Sequence, residues 1–264
     1  MSLTSYKIVN FLMPAIELSQ KHRVTAWLLD RAYHLYKRLL EDQFRHHLPM
    51  LIRRGDMVID VGANVGFYTA IFSKIVGPEG RVLAIDPCRE HCRKLAALPL
   101  DNVQVLNQAV GAVEGETDFY LNPCHPGDHR CYLPKSGQKD VVKSTAHIST
   151  LSRILREQGG GFRVSLIKID VKGFEMAVLE GLEEWLATTG EHPNLILEVA
   201  PTELSDAQTS VAQIESWLRG YSYHLFLLRK DGLIPLGSLV HYIRDLPQHD
   251  YFDILASPRT EILQ

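Results

Sequence analysis

The stretch Asp60-Val61-Gly62-Ala63-Asn64-Val65-Gly66 decides how the rest of this chain is read. It continues an apolar run, Met57-Val58-Ile59, and leads directly into Phe67-Tyr68 and a segment free of Gly and Pro that reaches Val76. A strand, a tight turn and a helix in that order are the setting of a nucleotide-binding turn at the first crossover of a parallel sheet. Gly62 permits the sharp turn and close backbone approach, Asn64 tolerates left-handed geometry, and Gly66 lets the following helix pack closely. The two glycines stand four apart, which is not the G-x-G-x-x-G spacing of dinucleotide enzymes. Asp60 would also repel a pyrophosphate pressed onto the helix end. The turn therefore suits a ligand that is cationic and carries no phosphate.

Outward from this turn, short apolar runs alternate with helical stretches, the signature of a doubly wound, mostly parallel α/β sheet with helices on both faces. The pattern predicts seven strands, at Met57 to Val61, Val82 to Ile85, Val103 to Leu106, Ser165 to Ile169, Leu195 to Val199, Tyr223 to Leu228 and Phe252 to Ala256. Helices are expected near Phe67 to Val76, Arg89 to Leu98, Ser149 to Glu157, Phe174 to Leu186 and Asp206 to Arg219. No clear helix separates the last two strands, so they should pair antiparallel at one edge. Residues 51–264 thus read as one Rossmann-like domain, preceded by an N-terminal helical extension over residues 1–50. Within that extension, residues 15–48 lack Gly and Pro, and Trp27, Leu28, Tyr33, Leu35, Tyr36, Leu39 and Leu40 recur at helical spacing. The opposite face is basic, through Lys21, Arg23, Arg31, Lys37, Arg38 and Arg45. It reads as a solvated face, with an anionic partner as the alternative, and the helices offer a surface for homodimer formation.

A chain of 264 residues, 45% hydrophobic, can bury a full core as one large domain. Its formal net charge of -3 gives no bulk attraction to a polyanion, so nucleic acid is not the expected partner. No run approaches the apolar length needed to span a bilayer, and the first segment lacks the order of a signal peptide; a soluble cytoplasmic protein is expected.

Ligands of an open α/β sheet bind beyond the carboxyl ends of its strands, near the topological switch point. That rule makes strand-end polar residues the candidates. Asp86, before Pro87 and 20 residues past Gly66, is placed to accept two ribose hydroxyls, with a helix-capping role as its alternative. Asn107 or Gln108, after the third strand, can meet an adenine edge. Asp170, in Asp170-Val171-Lys172-Gly173-Phe174-Glu175, points at the reacting centre. Glu175 is either catalytic or a first-turn partner of the helix dipole. Glu198 completes a row of acids that could hold a hard cation, although sheet-end acids often only accept local amide hydrogen bonds. Lys168 lies inside an apolar strand and requires an ion pair.

The segment from Asn122 to Ala146 breaks the rhythm with Pro123, Pro126, Gly127, Pro134 and Gly137, and reads as a long irregular insertion that closes over the site. It carries His125 and His129, which join His147 and Asp170 as candidate bases. Cys88, Cys92, Cys124 and Cys131, with His91, His125 and His129 nearby, invite a zinc reading. Neither cysteine pair has C-x2-C spacing, so free thiols and no metal are expected.

Taken together, these residues resemble the FkbM-type methyltransferase family over roughly residues 55–257. The resemblance is carried by Val58 to Thr69, Asp86-Pro87, Asn107 to Gly111 with Gly115, Ser149-Thr150-Leu151, Ile167 to Glu175, Leu179-Glu180-Gly181 and Glu198-Val199. It implies S-adenosylmethionine as methyl donor, whose sulfonium and ammonium suit the Asp60 carboxylate. Cofactor contacts are then expected from Asp60, Gly62, Asn64, Gly66, Phe67, Tyr68, Asp86, Pro87, Asn107, Gln108 and Asp170, and chemistry from Asp170, Glu175 and His129. The implied reaction is O-methylation of a hydroxyl on a small molecule such as a sugar or polyketide. Two positions depart from the family pattern: Lys172 and Asp86 both stand where Glu is usual. Rival readings are a noncatalytic cofactor-binding or interaction module and an NAD-dependent oxidoreductase.

Overall fold

A computed structural model describes residues 45–122, 128–133, 141–246 and 251–260. The leading extension as far as residue 44, together with Cys124 and His125, lies outside the described residues. The chain enters through a single helical turn, α1 (Leu48–Leu51), which is followed by β1 (Met57–Val61). Next come α2 (Phe67–Val76), β2 (Arg81–Ile85), α3 (Arg89–Ala96) and β3 (Val103–Leu106). Three strands then lie outside the main sheet: β4 (Ala109–Val110), β5 (Gly115–Leu121) and β6 (Val142–Ser149). The second half runs α4 (Leu151–Gln158), β7 (Val164–Ile169), α5 (Glu175–Glu180), α6 (Glu183–Thr189), β8 (Asn194–Val199), α7 (Pro201–Asp206) and α8 (Val211–Gly220). It closes with β9 (His224–Arg229), β10 (Gly232–Pro235), α9 (Leu239–Tyr242) and β11 (Phe252–Ser257).

The main sheet has the order β10-β9-β11-β8-β7-β1-β2-β3, with β1 and β7 side by side at the switch point. This is the expected doubly wound class I architecture with one strand more than expected. β11 does run antiparallel to its neighbours, but it lies between β8 and β9. The edge position belongs to β10, whose Gly232-Leu233-Ile234-Pro235 is too short and too exposed to stand out as an apolar run.

Alternation along β1 divides the core. Met57, Ile59 and Val61 pack on one face against Leu151, Ile154, Val178 and Leu182, while Val58 packs on the other against Phe72 and Val76 of α2. Both faces are covered, so the strand reads as a continuous apolar run interrupted only by Asp60. Asp60 and Lys168 are directly opposed on β1 and β7, so their side chains share the α2 face.

One expected helix is split, and the one expected from Asp206 starts only at Val211, behind a separate short helix. Gly181 stands between α5 and α6, where a Cβ would lie 2.2 Å from the Gly111 carbonyl oxygen. Ser210 caps α8 by accepting from the Gln213 amide, which leaves Pro201–Asp206 as a separate helix. The helix expected from Ser149 begins later, with Ser149 ending β6 and Thr150 accepting from the Arg153 amide as its cap. The irregular insertion is shorter than expected, because its last residues belong to β6, which pairs antiparallel with β5 from Leu121↔Val142 to Gly115↔Ile148.

Candidate functional site

The turn after β1 is built by backbone constraint. Gly62 has φ +80°, and a Cβ on it would fall 1.9 Å from the carbonyl oxygen of Asp170, so β1 and β7 converge here to a distance no side chain allows. Gly66 has φ +91°, and its missing side chain admits Leu95 of α3, where a Cβ would lie 2.2 Å from a Leu95 methyl. Asn64 is left-handed at φ 50°, with its Oδ1 accepting the Val65 amide at 2.7 Å. The Gly62 and Ala63 amides both donate to the Ile85 carbonyl, tying the turn to β2.

These strand ends border one open cleft. Its walls include Asp60, Gly62, Asn64, Phe67, Tyr68, Asp86, Pro87, Gln108 and Asp170, together with His91 and His129. Gly66 lies just behind the wall, under Leu95. Asn107 is turned away, its amide nitrogen donating to the Asp86 and Pro87 carbonyls at 3.1 and 3.0 Å. Of the two candidates for the adenine edge, Gln108 is the one facing the cleft.

Asp60 is 1% exposed. Its Oδ2 accepts from the Thr69 hydroxyl at 2.6 Å, one helical turn into α2, and its buried Oδ1 receives no hydrogen bond from the described residues. Burial raises its pKa, an effect that Lys168 and Thr69 only partly offset. The Lys168 ammonium lies 3.1 Å from Asp170 and 3.8 Å from Asp60, which is the ion pairing its place in the strand demanded, and it also sits 5.1 Å from the centre of the Tyr68 ring. Burial lowers the pKa of Lys168, but Asp170 and Asp60 outweigh it and hold the ammonium above its ordinary value. Lys172, left-handed at φ 53°, bridges Asp170 and Glu198. Glu198 thus takes part in an ion pair with Lys172.

Asp86 accepts the Asn64 amide and the Cys88 amide, each at 2.8 Å, and its Oδ1 lies 3.3 Å from His91 Nδ1. It therefore holds the β1 turn and the start of α3 together while lining the cleft. Glu175 stands apart: it is 2% exposed and outside the cleft wall, its Oε1 accepting the Val171 and Gly173 amides while Oε2 has no hydrogen-bond partner among the described residues. Burial pushes its carboxyl up to about 8.

His129 lies in the segment between β5 and β6. It stacks on His91 with ring centres 4.9 Å apart and meets Phe119 edge-on, and its Nδ1 accepts the Asn122 amide. Next to it Arg130 donates to Asp128 and Glu203 while Tyr132 donates to the Glu203 carbonyl, fastening this segment to α7. Burial disfavours a charged Cys88, but His129 and His91 overcome this and lower the thiol to about 6. Burial likewise opposes charge on His91, and Asp86 and Cys88 nevertheless raise it to about 9. His147, on β6, is exposed and outside the cleft wall. Arg130 and Glu203 carried no sequence signal, since only the folded chain brings them to their partners, and Thr69 stood in the motif without its tie to Asp60 being legible.

An open doubly wound sheet with a polar cleft at its switch point and a buried carboxylate ending β1 defines a class I, S-adenosylmethionine-dependent methyltransferase. Residues 60–225 match the Methyltransferase FkbM domain, and the chain belongs to that family. It is similar to "Methyltransferase 1" of Beauveria bassiana, 26% identical over 67% of this chain and 76% of that protein. It is also similar to "AMB antimetabolite synthetase AmbE" of Pseudomonas aeruginosa, 24% identical over 83% of this chain but only 12% of that much longer protein. Among solved structures, the FkbM methyltransferase of Methylobacillus flagellatus KT is 14% identical at a TM-score of 0.45, covering 78% of this chain and 45% of that one. No helix among the described residues is long and apolar enough to cross a membrane.

Proposed function

We propose that this methyltransferase O-methylates a hydroxyl of a small molecule, with Asp170 receiving the hydroxyl proton. The observation that carries this reading is the placement of Asp170: its carboxylate borders the cleft where β7 meets the cofactor turn, held from two sides by Lys168 and Lys172. A hydroxyl needs a proton acceptor as it attacks, whereas positioning supplies much of the remaining rate.

The chain's own residues fit the cofactor. The buried Oδ1 of Asp60, which accepts no hydrogen bond from the described residues and has the Lys168 ammonium 3.8 Å away, keeps acceptor capacity for a cofactor ammonium, Asp86 retains acceptor capacity beyond its three local contacts, and Phe67, Tyr68, Pro87 and Gln108 supply apolar and amide surface around an adenosine. Asn64 and the two glycines shape the turn that admits it. When bound, the cofactor supplies an electrophilic methyl group. Asp170 would orient the acceptor hydroxyl and take its proton as the methyl group passes from sulfur to oxygen. Lys168 and Lys172 keep the carboxylate in place. His129 lines the same cleft. Glu175 is a positioning residue that braces the Asp170 loop through the Val171 and Gly173 amides. The chain's formal net charge of -3 gives no bulk attraction to a polyanion, which supports a small-molecule acceptor over nucleic acid.

The test is incubation with methyl-labelled S-adenosylmethionine and a panel of polyols, phenols and polyketide-type alcohols, with product bonds assigned by mass spectrometry. Asp170→Asn should lower kcat about 100-fold or more, the usual range for losing a proton acceptor, while cofactor binding changes little. Label found only on amines, or full activity in Asp170→Asn, would sink the reading.

A further inference from the structure

We propose that Cys88, His91 and His129 form a three-ligand site for zinc or a similar borderline-soft divalent ion, which clamps the β5–β6 segment to the start of α3 beside the cofactor cleft. One donor atom from each residue lies within 4.8 Å of the other two. Cys88 and His91 come from the turn and first residues of α3, while His129 arrives from a segment almost forty residues later in the sequence. The donors are a thiol and two imidazoles, a set that selects zinc over oxygen-seeking magnesium or calcium. This trio is not either of the cysteine pairs suggested by spacing: Cys92 turns its sulfur to the Asp86 carbonyl at 3.1 Å.

Surrounding groups support the assignment. His91 Nδ1 faces Asp86 at 3.3 Å, and a carboxylate behind a ring nitrogen is the arrangement that fixes a metal-binding histidine and leaves its Nε2 for the ion. Tetrahedral zinc draws S and N donors to separations of about 3.4–3.6 Å, so the trio must contract by up to about 1.4 Å and the stacked His91 and His129 rings must turn until both nitrogens aim at one ion. His129 Nδ1 accepts the Asn122 amide without metal, so loading through that nitrogen replaces one backbone hydrogen bond with a metal bond. The charges also close, because a dication is matched by one thiolate and the Asp86 carboxylate, leaving no net repulsion toward a cationic cofactor. Three protein ligands leave a fourth position for water, and Cys131 lines the same wall.

The experiment is titration of the chelator-stripped full chain with Co²⁺, read as the near-ultraviolet thiolate-to-cobalt charge-transfer band, with Zn²⁺ as competitor. One equivalent should saturate the band, and zinc should displace it. Cys88→Ser should abolish it, His129→Gln should weaken binding about 10- to 100-fold, and Cys92→Ser should leave it intact. Thermal melts of each variant separate loss of ligand from loss of fold, and His129→Gln decides the matter if Cys88→Ser does not fold. Absence of the band in the folded wild-type protein, or its survival in both Cys88→Ser and His129→Gln, would show that the three side chains form only a metal-free thiol–imidazole cluster and overturn the proposal.

Discussion

Glu175→Gln gives a sharp test of the site's electrostatics. The carboxyl is buried beneath the Asp170 loop, accepts two amides through one oxygen, and is pushed by burial from 4.5 to about 8. Its folded pKa lies above the unfolded value, so the stability it carries is complete below about pH 4.5 and is lost as pH rises through about 8. Integrating the linkage between pH 6 and 9, the wild-type protein should lose about 2.5 kcal/mol from this one group. Glutamine keeps an acceptor oxygen for Val171 and Gly173 but cannot ionise, so the variant should lack that share of the decline. The assay is urea unfolding at both pH values, with free energies obtained from midpoint and slope. Subtracting the two proteins cancels other titrating groups to first order. Equal declines in wild type and variant, within about 0.5 kcal/mol, would refute the claim that Glu175 is buried and mostly neutral at pH 7.

Gly62→Ala forces a Cβ against the Asp170 carbonyl at a left-handed φ, so calorimetry should show cofactor binding weakened at least about tenfold, whereas Gly220→Ala, with open space around it, should bind normally. Thr69→Val removes the hydrogen bond to the buried Asp60 and should cost about 1–3 kcal/mol in urea unfolding; a neutral result would place Asp60 in contact with water. Asp86→Ala should raise the dissociation constant for S-adenosylhomocysteine about 10- to 100-fold, more than Glu175→Ala does, and an unchanged constant in a folded protein would confine Asp86 to joining Asn64, Cys88 and His91.

What could be read in the sequence was what the backbone itself demands. β1, β7 and β8 are buried on both faces and appear as continuous apolar runs, and the left-handed turn at Gly62, Asn64 and Gly66 restricts residue type directly. The small β4-β6-β5 sheet was hidden because along β5 only Phe119 is buried and along β6 mainly Ala146, Ile148 and Ser149, too few for a period of two to emerge. Lys168 announced its need for a partner, but only the β1–β7 register names Asp60. Sequence left Glu175 suspended between chemistry and helix capping, and the choice depended on whether its side chain faced the cleft or turned under the loop. The zinc reading looked weak while the cysteines were paired by spacing, since His129 and Cys88, far apart in sequence, meet only in the folded chain.

The most direct test of the whole account is calorimetric titration of the purified chain with S-adenosylhomocysteine and, separately, with NAD. A single-site isotherm for S-adenosylhomocysteine and none for NAD is expected, because the turn after β1 lacks the G-x-G-x-x-G spacing of dinucleotide enzymes. Saturable binding of NAD without binding of S-adenosylhomocysteine would contradict it.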